Sequence, residues 1–170
     1  VYTAAIHPDN EEFAEAVKQN LPMLTRAELL GQLMTNYDVP IAISGTHGKT
    51  TTTYLLKAIL EQELGAKVGL IGTIQNMIGD RVLHTERTTP ESFELQKLLR
   101  EMADAGCTHV VMEVSSQALA RHRVDGITFD TAVFTNLSPD HIGTEEHPDY
   151  AHYRDSKKRL FAQCLSLIHI

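Results

Sequence analysis

The sequence predicts an α/β fold in which a mostly parallel sheet is flanked by helices. From residue 40 onward, short apolar segments of strand length alternate with longer segments of helical pattern, which is typical of βαβ units. A glycine-containing loop joins the first of these strands to the first helix. Hydrophobic residues make up 42% and charged residues 22% of the 170-residue chain, so the chain can bury a sizeable core.

The segment before residue 40 is predicted to be a separate unit. Residues 1–6 are predicted as a strand, and an acidic helical stretch runs from residues 8–10 to about Gln19. Residues 25–28 have the capping-box pattern that begins a second helix, which ends near Asn36. Pro40 then disfavours helix in the residue before it. We therefore place a domain boundary between residues 39 and 40.

The elements after this boundary follow from apolar periodicity and from glycines. Strands are predicted at residues 41–44, 67–71, 109–114 and 130–135, and helices at residues 49–64 and 91–105. Gly65 and Gly106 end the two helices. Gly79 and Asp80 lie between apolar pairs, which predicts a small hairpin within residues 72–87.

Charge and composition exclude several classes of protein. The net charge of −7 argues against a general nucleic-acid binder, so any phosphate is expected to bind at a local site. No apolar run approaches the ~18 residues of a membrane span, and the first residues lack the basic segment of a signal peptide. We expect a cytoplasmic protein without a membrane partner. Cys107 and Cys164 form no C-x-x-C pair, which indicates reduced thiols.

The loop from Gly45 to Thr51 is the first candidate site. It reads Gly-Thr-His-Gly-Lys-Thr-Thr between a predicted strand and a predicted helix, the context in which phosphate loops occur, although Ile43 stands where a further glycine is usual. Glycines let backbone N–H groups approach phosphates, Lys49 reaches the β- and γ-phosphates, and the Thr50 hydroxyl can bind Mg²⁺. The alternative is a turn with a solvated lysine. Four consecutive threonines are poor helix formers, which favours a ligand site for ATP or GTP.

Three further segments accompany this loop. They are Glu113-Val114-Ser115-Ser116, then Phe134-Thr135-Asn136 with Asp140-His141, and finally Tyr153-x-x-x-Lys157-x-x-Leu160-Phe161. In order and approximate spacing the four motifs resemble the Mur ligases, the ATP-dependent enzymes that attach amino acids to the UDP-N-acetylmuramate precursor of peptidoglycan. The resemblance implies a phosphate-loop NTPase-like central domain at residues 40–163, incomplete here. Residues 1–39 would be the C-terminal remnant of a UDP-binding domain.

The resemblance differs between two parts of the chain. Residues 66–163 are similar to members that add a diamino acid to UDP-MurNAc-L-Ala-D-Glu, whereas residues 1–53 are similar to members that add L-alanine. His47, for example, stands at a position where the members that add a diamino acid more often have Asn. We interpret the chain as a hybrid, natural or produced by sequence assembly, which amplification across codons 40–60 from source DNA would test. Residues 164–170 do not continue the family pattern, and the C-terminal ligase domain is expected to be absent.

The resemblance also implies the chemistry and its residues. ATP would phosphorylate a substrate carboxylate to an acyl phosphate, which the incoming amine attacks. The implied ATP and phosphate contacts are Gly45, Thr46, His47, Gly48, Lys49, Thr50, Thr51 and Asn136. The implied Mg²⁺ ligands are Thr50, Glu113, His141 and Lys157, the last after carbamylation by CO₂. The implied contacts to the UDP-MurNAc-peptide are Thr88, Thr89, Ser115 and Arg123, and the implied catalytic residues are Lys49, His141 and Lys157.

Several of these residues have plainer interpretations. Glu113 could cap the helix that follows it, and Lys157 could be a solvated helix residue. His147 and His152 lie among acidic residues, but their spacing fits no zinc motif and Pro148 interrupts any common helical face. We therefore expect a solvated acidic loop there. Cys107, just after the predicted helix end, is expected to be a small buried residue.

The predicted function is an ATP-dependent, peptide-bond-forming ligase of peptidoglycan precursor synthesis, with an amino acid and a UDP-MurNAc-peptide as its partners. Two alternatives remain open: a nucleotide-binding fragment without ligase activity, and a ligase that adds L-alanine. A GTPase or small-molecule kinase is disfavoured, because the chain has no guanine-reading N-K-x-D segment. We expect the 170-residue chain to be inactive alone.

Overall fold

The computed structural model describes residues 11–19, 39–139, 142–145 and 147–169. Helix α1 (Glu11–Lys18) lies in the first of these ranges and within the predicted acidic helical stretch. The strand predicted at residues 1–6 and the helix predicted at residues 25–36 lie outside the described residues.

The remaining elements follow in the predicted alternation. In chain order they are β1 (Val39–Ser44), α2 (Lys49–Leu64), β2 (Val68–Ile71), β3 (Asn76–Ile78), β4 (Arg81–Leu83), α3 (Ser92–Asp104), β5 (His109–Glu113), α4 (Ser116–Ala120), β6 (Phe129–Phe134), α5 (Tyr150–Lys158), a 3₁₀ turn (Arg159–Gln163) and β7 (Cys164–His169). The bounds of α2 are those predicted, and the other predicted helix and strands agree to within two residues. The short helix α4 was not predicted.

The strands form one sheet in the order β4-β3-β2-β5-β1-β6-β7. All pairs among β2, β5, β1, β6 and β7 are parallel, and the β3–β4 hairpin adds two antiparallel strands at one edge. Ile43 of β1 lies opposite Glu113 of β5 and Val133 of β6. The three strands therefore end together, and the segments that follow them meet at one edge of the sheet. This confirms the predicted fold class.

Helices cover both faces of the sheet, because alternate residues of the central strands point to opposite sides. On one side Ala42, Val110 and Met112 join a cluster that includes Leu95 and Leu99 of α3. On the other side Ile41, Ile43 and Val111 join a smaller cluster, against which Leu56 and Leu60 of α2 pack. Both faces of the central strands are thus buried, which accounts for their nearly continuous apolar sequence.

The structure differs from the sequence analysis after residue 163. Residues 164–169, expected to fall outside the family pattern, form strand β7, which pairs in parallel with β6 in a register that sets Cys164 opposite Phe129. The strand completes one edge of the sheet. Among the described residues, no helix has the length and apolar character needed to cross a membrane.

Replacement of Leu99 tests the larger cluster. Leu99 is 1% exposed, whereas Leu55, on the outer face of α2, is 58% exposed. We expect Leu99→Ala to lower the free energy of unfolding by about 2–5 kcal/mol, because it removes buried methyl groups and leaves a cavity. Leu55→Ala, the matched control, should change it by less than about 0.5 kcal/mol. Urea unfolding followed by circular dichroism measures both, and equal losses would contradict this packing.

Candidate functional site

The predicted phosphate loop lies at the carboxyl end of β1 and leads directly into α2. Its two glycines have positive φ angles, +143° at Gly45 and +82° at Gly48, and Gly48 is the residue before the first helical turn. A Cβ at Gly45 would clash with the Thr135 Oγ1 atom, whereas one at Gly48 would meet nothing within 4 Å. Gly45 is thus required by a close approach of β6, and Gly48 by the left-handed turn alone.

Asn136, two residues after the end of β6, holds the loop by hydrogen bonds. Its Oδ1 atom accepts hydrogen bonds from the backbone N–H of Thr46 (3.1 Å) and of His47 (2.9 Å), and its Nδ2 donates to the His47 carbonyl (3.1 Å). The Thr135 hydroxyl also donates to that carbonyl (2.7 Å). The structure therefore gives Asn136 a loop-positioning role, and a direct nucleotide contact by this residue stays a prediction.

Two lysine amino groups converge on the loop. Lys49 Nζ donates to the carbonyls of Gly45 and Thr46, each at 3.1 Å, and Lys157 Nζ donates to the Gly45 carbonyl at 2.8 Å. Lys157 comes from α5, is 2% exposed, and lies 5.0 Å from the centre of the Tyr153 ring. Both lysines line a cavity of about 480 Å³. Two cations beside one cavity favour an anionic ligand.

Glu113 also lines this cavity and is 1% exposed. Its Oε2 atom accepts from the hydroxyls of Thr50 and Thr73, each at 3.0 Å, and its Oε1 accepts from the Thr73 N–H at 2.9 Å. A Cβ at Gly72 would lie 2.5 Å from that Oε1. The carboxylate thus joins the start of α2 to the segment after β2, and it does not cap the following helix. Ser115 does, by accepting from the Ala118 N–H.

The predicted substrate residues form two groups. Thr88 and Ser115 line the cavity, and the Thr88 Oγ1 atom lies 3.0 Å from the Thr73 Oγ1 atom. Thr89 and Arg123 lie behind it: the Thr89 hydroxyl bridges the Glu113 carbonyl (2.9 Å) and the Ser115 N–H (3.1 Å). Arg123 donates to the Thr89 carbonyl (3.2 Å) and pairs with Glu91 (2.8 Å). Thr89 and Arg123 therefore hold in place the part of the cavity wall that contains Ser115.

Thr73 is a site residue that the sequence analysis missed. It lies two residues after the end of β2, and side chains at the carboxyl ends of parallel strands are placed where ligands of open α/β sheets bind. That position in the sequence was the available signal. Tyr153 was quoted only as part of a motif, yet its hydroxyl lies 2.9 Å from the Thr46 Oγ1 atom and ties α5 to the loop.

His147 was expected in a solvated loop, and this expectation is wrong. Its side chain is 0% exposed, its Nε2 lies 3.0 Å from the Ser116 Oγ atom, and its ring makes an edge contact with Tyr153. Burial of an imidazole is tolerated because these polar contacts replace water. His152 is exposed as expected, in the first turn of α5, where Asp149 caps its N–H.

The donor set of the cavity fits a magnesium ion. Mg²⁺ prefers oxygen ligands at about 2.0–2.1 Å in an octahedron, in which neighbouring oxygens lie about 2.9 Å apart. The 3.0 Å between Thr50 Oγ1 and Glu113 Oε2 suits two such positions. His141 and Asp140 lie outside the described residues, and within the described part of the chain no three His, Cys, Asp or Glu side chains gather as a metal site.

Two residues with shifted pKa values lie away from the cavity wall. Burial raises the pKa of the Cys107 thiol, as expected for the small buried residue predicted at this position. On the exposed face of α5, the hydrogen bond from Arg154 lowers the pKa of Asp155. Neither group faces the two lysines, so neither is a candidate for the chemistry.

A second, smaller cavity of about 350 Å³ lies between the β3–β4 hairpin and α3. Its lining has side chains of both charges, among them Arg87, Glu94 and Lys97. Its lining has no glycine and includes Glu86, Glu94 and Glu101, so the larger cavity is the better candidate for a nucleotide.

Comparison with known proteins assigns the family. Residues 43–168 match the family described as "Mur ligase middle domain", and residues 1–38 match "Mur ligase family, catalytic domain". The chain belongs to the Mur ligase family. The middle-domain match runs to residue 168, beyond the boundary that the sequence analysis placed at residue 163.

Among curated Mur ligases, the chain is similar to UDP-N-acetylmuramoyl-L-alanyl-D-glutamate–2,6-diaminopimelate ligases. It is 57% identical to that of Caldanaerobacter subterraneus subsp. tengcongensis over 132 residues, 76% of this chain and 27% of the relative. It is 48% identical to that of Clostridium tetani over 128 residues, 75% of this chain and 26% of the relative. The matched region thus spans about a quarter of the length of these relatives.

Solved structures show the same fold. A diaminopimelate ligase of this type superposes with a TM-score of 0.73 at 24% identity, covering 99% of this chain and 39% of that one. Escherichia coli FolC in complex with DHPP and ADP gives a TM-score of 0.54 at 21% identity, covering 77% and 36%. The Mur ligase middle domain thus shares its α/β architecture with FolC.

The two glycines of the loop should differ in their tolerance of a side chain. Gly48→Ala adds backbone strain alone, worth about 1–2 kcal/mol. Gly45→Ala must also displace Thr135 and its hydrogen bond to the His47 carbonyl, so we expect its cost to exceed that of Gly48→Ala by at least about 1 kcal/mol. Urea unfolding measures both variants. Equal destabilisation would show that the approach of Thr135 does not constrain the loop.

Proposed function

We propose that residues 40–163 are the ATP-binding central domain of a ligase that adds a diamino acid to UDP-MurNAc-L-Ala-D-Glu. The observation that carries the proposal is the convergence of Lys49, Lys157 and Glu113 on one cavity at the start of α2. The curated relatives named above, at 48–57% identity, support the diamino-acid reaction rather than addition of L-alanine. Residues 1–39 would belong to the UDP-binding domain, and the C-terminal ligase domain would complete the site.

In the proposed reaction, the γ-phosphoryl group of ATP passes to the substrate carboxylate and forms an acyl phosphate. Negative charge develops on the phosphoryl oxygens, so the protein contributes mainly by positioning and by stabilising this charge. Lys49 would exchange its bonds to the Gly45 and Thr46 carbonyls for phosphate oxygens. The amine of the diamino acid would then attack the acyl carbon, and phosphate would leave with the electron pair of the broken bond.

Thr50 and Glu113 would hold Mg²⁺, with His141 and carbamylated Lys157 as the proposed ligands of a second ion. When bound, Mg²⁺ neutralises charge on the phosphate oxygens and orients them. The chain's own contribution is that Glu113 already accepts hydrogen bonds from the hydroxyls of Thr50 and Thr73.

Lys157 would act as a carbamate, formed when its amine nitrogen bonds to CO₂ and loses one proton. The side chain is 2% exposed and lines the cavity, so the modified group would lie in the cavity rather than in bulk solvent. The product is an anion, which suits a second metal position. Thr88 and Ser115 would contact the UDP-MurNAc-peptide directly, and Thr89 and Arg123 would hold that wall in place.

Calorimetry of Mg²⁺-ATP binding tests the nucleotide site. We expect the wild-type chain to bind and Lys49→Ala to lose most of this affinity, because the charge aimed at the phosphates is gone. Lys97→Ala removes the same charge from the second cavity and should bind as the wild type does. Binding that is lost equally in both variants, or in neither, would contradict the assignment of the larger cavity.

Carbamylation is tested by carbon NMR in ¹³C-labelled bicarbonate. We expect a carbamate carbonyl signal in the wild type that disappears in Lys157→Ala. Lys158→Ala is the matched control, because Lys158 is the next residue and its side chain is 58% exposed. The signal should persist in that variant. A spectrum without a carbamate signal, or a signal that survives in Lys157→Ala, would rule out this modification.

A further inference from the structure

The buried imidazole of His147 has no role in the reaction described above. It lies between α4 and α5, at 0% exposure, and contacts a residue from each helix. Its Nε2 is 3.0 Å from the Ser116 Oγ atom, and its Nδ1 is 3.3 Å from the Nδ1 of His152. The Tyr153 ring meets it edge-on at 5.2 Å between centroids. These contacts fix the ring in one plane and one orientation.

Ser116 connects this imidazole to the cavity. The residue is 5% exposed, and it lines the cavity together with Lys49, Lys157 and Glu113. The hydroxyl of its neighbour Ser115 caps α4, where it accepts from the Ala118 N–H at 3.1 Å. Ser116 thus belongs to the cavity lining, and its hydroxyl meets His147.

We propose that His147 is a positioning residue that turns the Ser116 hydroxyl into a hydrogen-bond donor toward an anionic oxygen in the cavity. A hydroxyl has one hydrogen and two acceptor positions. If His147 carries its hydrogen on Nε2, the Ser116 oxygen accepts it, and the hydroxyl hydrogen is directed into the cavity. The His147 Nδ1 then accepts from His152. The inference deepens the proposed function and rests on it, because it takes the cavity as the site of an anionic ligand.

The charge of the cavity favours this arrangement over its reverse. With the hydrogen on Nδ1, Nε2 would accept from Ser116, and only oxygen lone pairs would face the ligand. Lone pairs repel phosphate or carboxylate oxygens, whereas a hydroxyl donor in the cavity that Lys49 lines stabilises them. The shared ligand chemistry is thus an anionic oxygen, either a phosphoryl oxygen of the nucleotide or the carboxylate of the UDP-MurNAc-dipeptide.

Nitrogen NMR of the ¹⁵N-histidine-labelled chain tests the arrangement without any ligand. Ring nitrogens with and without hydrogen resonate far apart, and His147→Gln identifies the signals of this residue. We expect His147 Nε2 to carry hydrogen, with a shift in its resonance in Ser116→Ala. An Nε2 without hydrogen would overturn the proposal, whatever the chain binds.

Calorimetry with Mg²⁺-ATP and, separately, with UDP-MurNAc-L-Ala-D-Glu tests the contact itself. Ser116→Ala and His147→Phe should each weaken binding by about tenfold or more, since a hydrogen bond to a charged group is lost. The double variant should bind no more weakly than Ser116→Ala, because both changes remove the same contact. His147→Gln keeps an N–H donor and should retain more affinity than His147→Phe.

A second hydroxyl–imidazole pair gives the matched control. Thr108 Oγ1 lies 2.9 Å from His109 Nδ1 at the amino end of β5, the opposite edge of the sheet, so His109→Phe should bind as the wild type does. A loss confined to Mg²⁺-ATP identifies a phosphoryl oxygen, and one confined to the dipeptide identifies the carboxylate. Wild-type affinity of Ser116→Ala for both ligands would overturn this inference alone, whereas a wild type that binds neither ligand would overturn the proposed function beneath it.

Discussion

A buried carboxylate organises the carboxyl edge of the sheet. Glu113 is 1% exposed, and a carboxylate removed from water must be compensated by hydrogen bonds. Thr50 and Thr73 supply them from two different segments, and Gly72 leaves the space that the carboxylate occupies. Any displacement of the start of α2 or of the segment after β2 would leave the charge without partners. One side chain thereby fixes the relative positions of the phosphate loop and the facing wall.

Strand β6, which neighbours β1 on the side away from β5, provides the second support of the phosphate loop. Because β1 pairs in parallel with both β5 and β6, the residues after each strand flank the loop that follows β1. Glu113 approaches the start of α2 from β5, while Thr135 and Asn136 hold the backbone of the loop from β6. Lys157 then approaches from α5 and donates to Gly45. The cavity is thus held by three separate elements around a short glycine loop, and its polar groups are positioned before a ligand enters.

The sequence predicted the parts of this arrangement that depend on local pattern. The periodicity before Gly65 predicted α2 to its observed bounds, and the position of Glu113 at the end of an apolar strand placed it at the site. The burial of His147 depends instead on Ser116, 31 residues earlier, which no local pattern reveals. The same holds for the loop-positioning role of Asn136, 89 residues from His47, and for the pairing of β7 with β6. The hybrid interpretation of residues 1–53 stays a prediction that source DNA would test.

The most direct test of the central claim is a crystal structure of the chain with Mg²⁺ and a non-hydrolysable ATP analogue. We expect the ion within about 2.0–2.1 Å of Glu113 Oε2 and Thr50 Oγ1, in place of the hydrogen bond that joins them. The triphosphate should lie in the larger cavity, with its β- and γ-phosphates beside Lys49 Nζ. A nucleotide in the smaller cavity beside Lys97, or an ion held away from Glu113, would contradict the account.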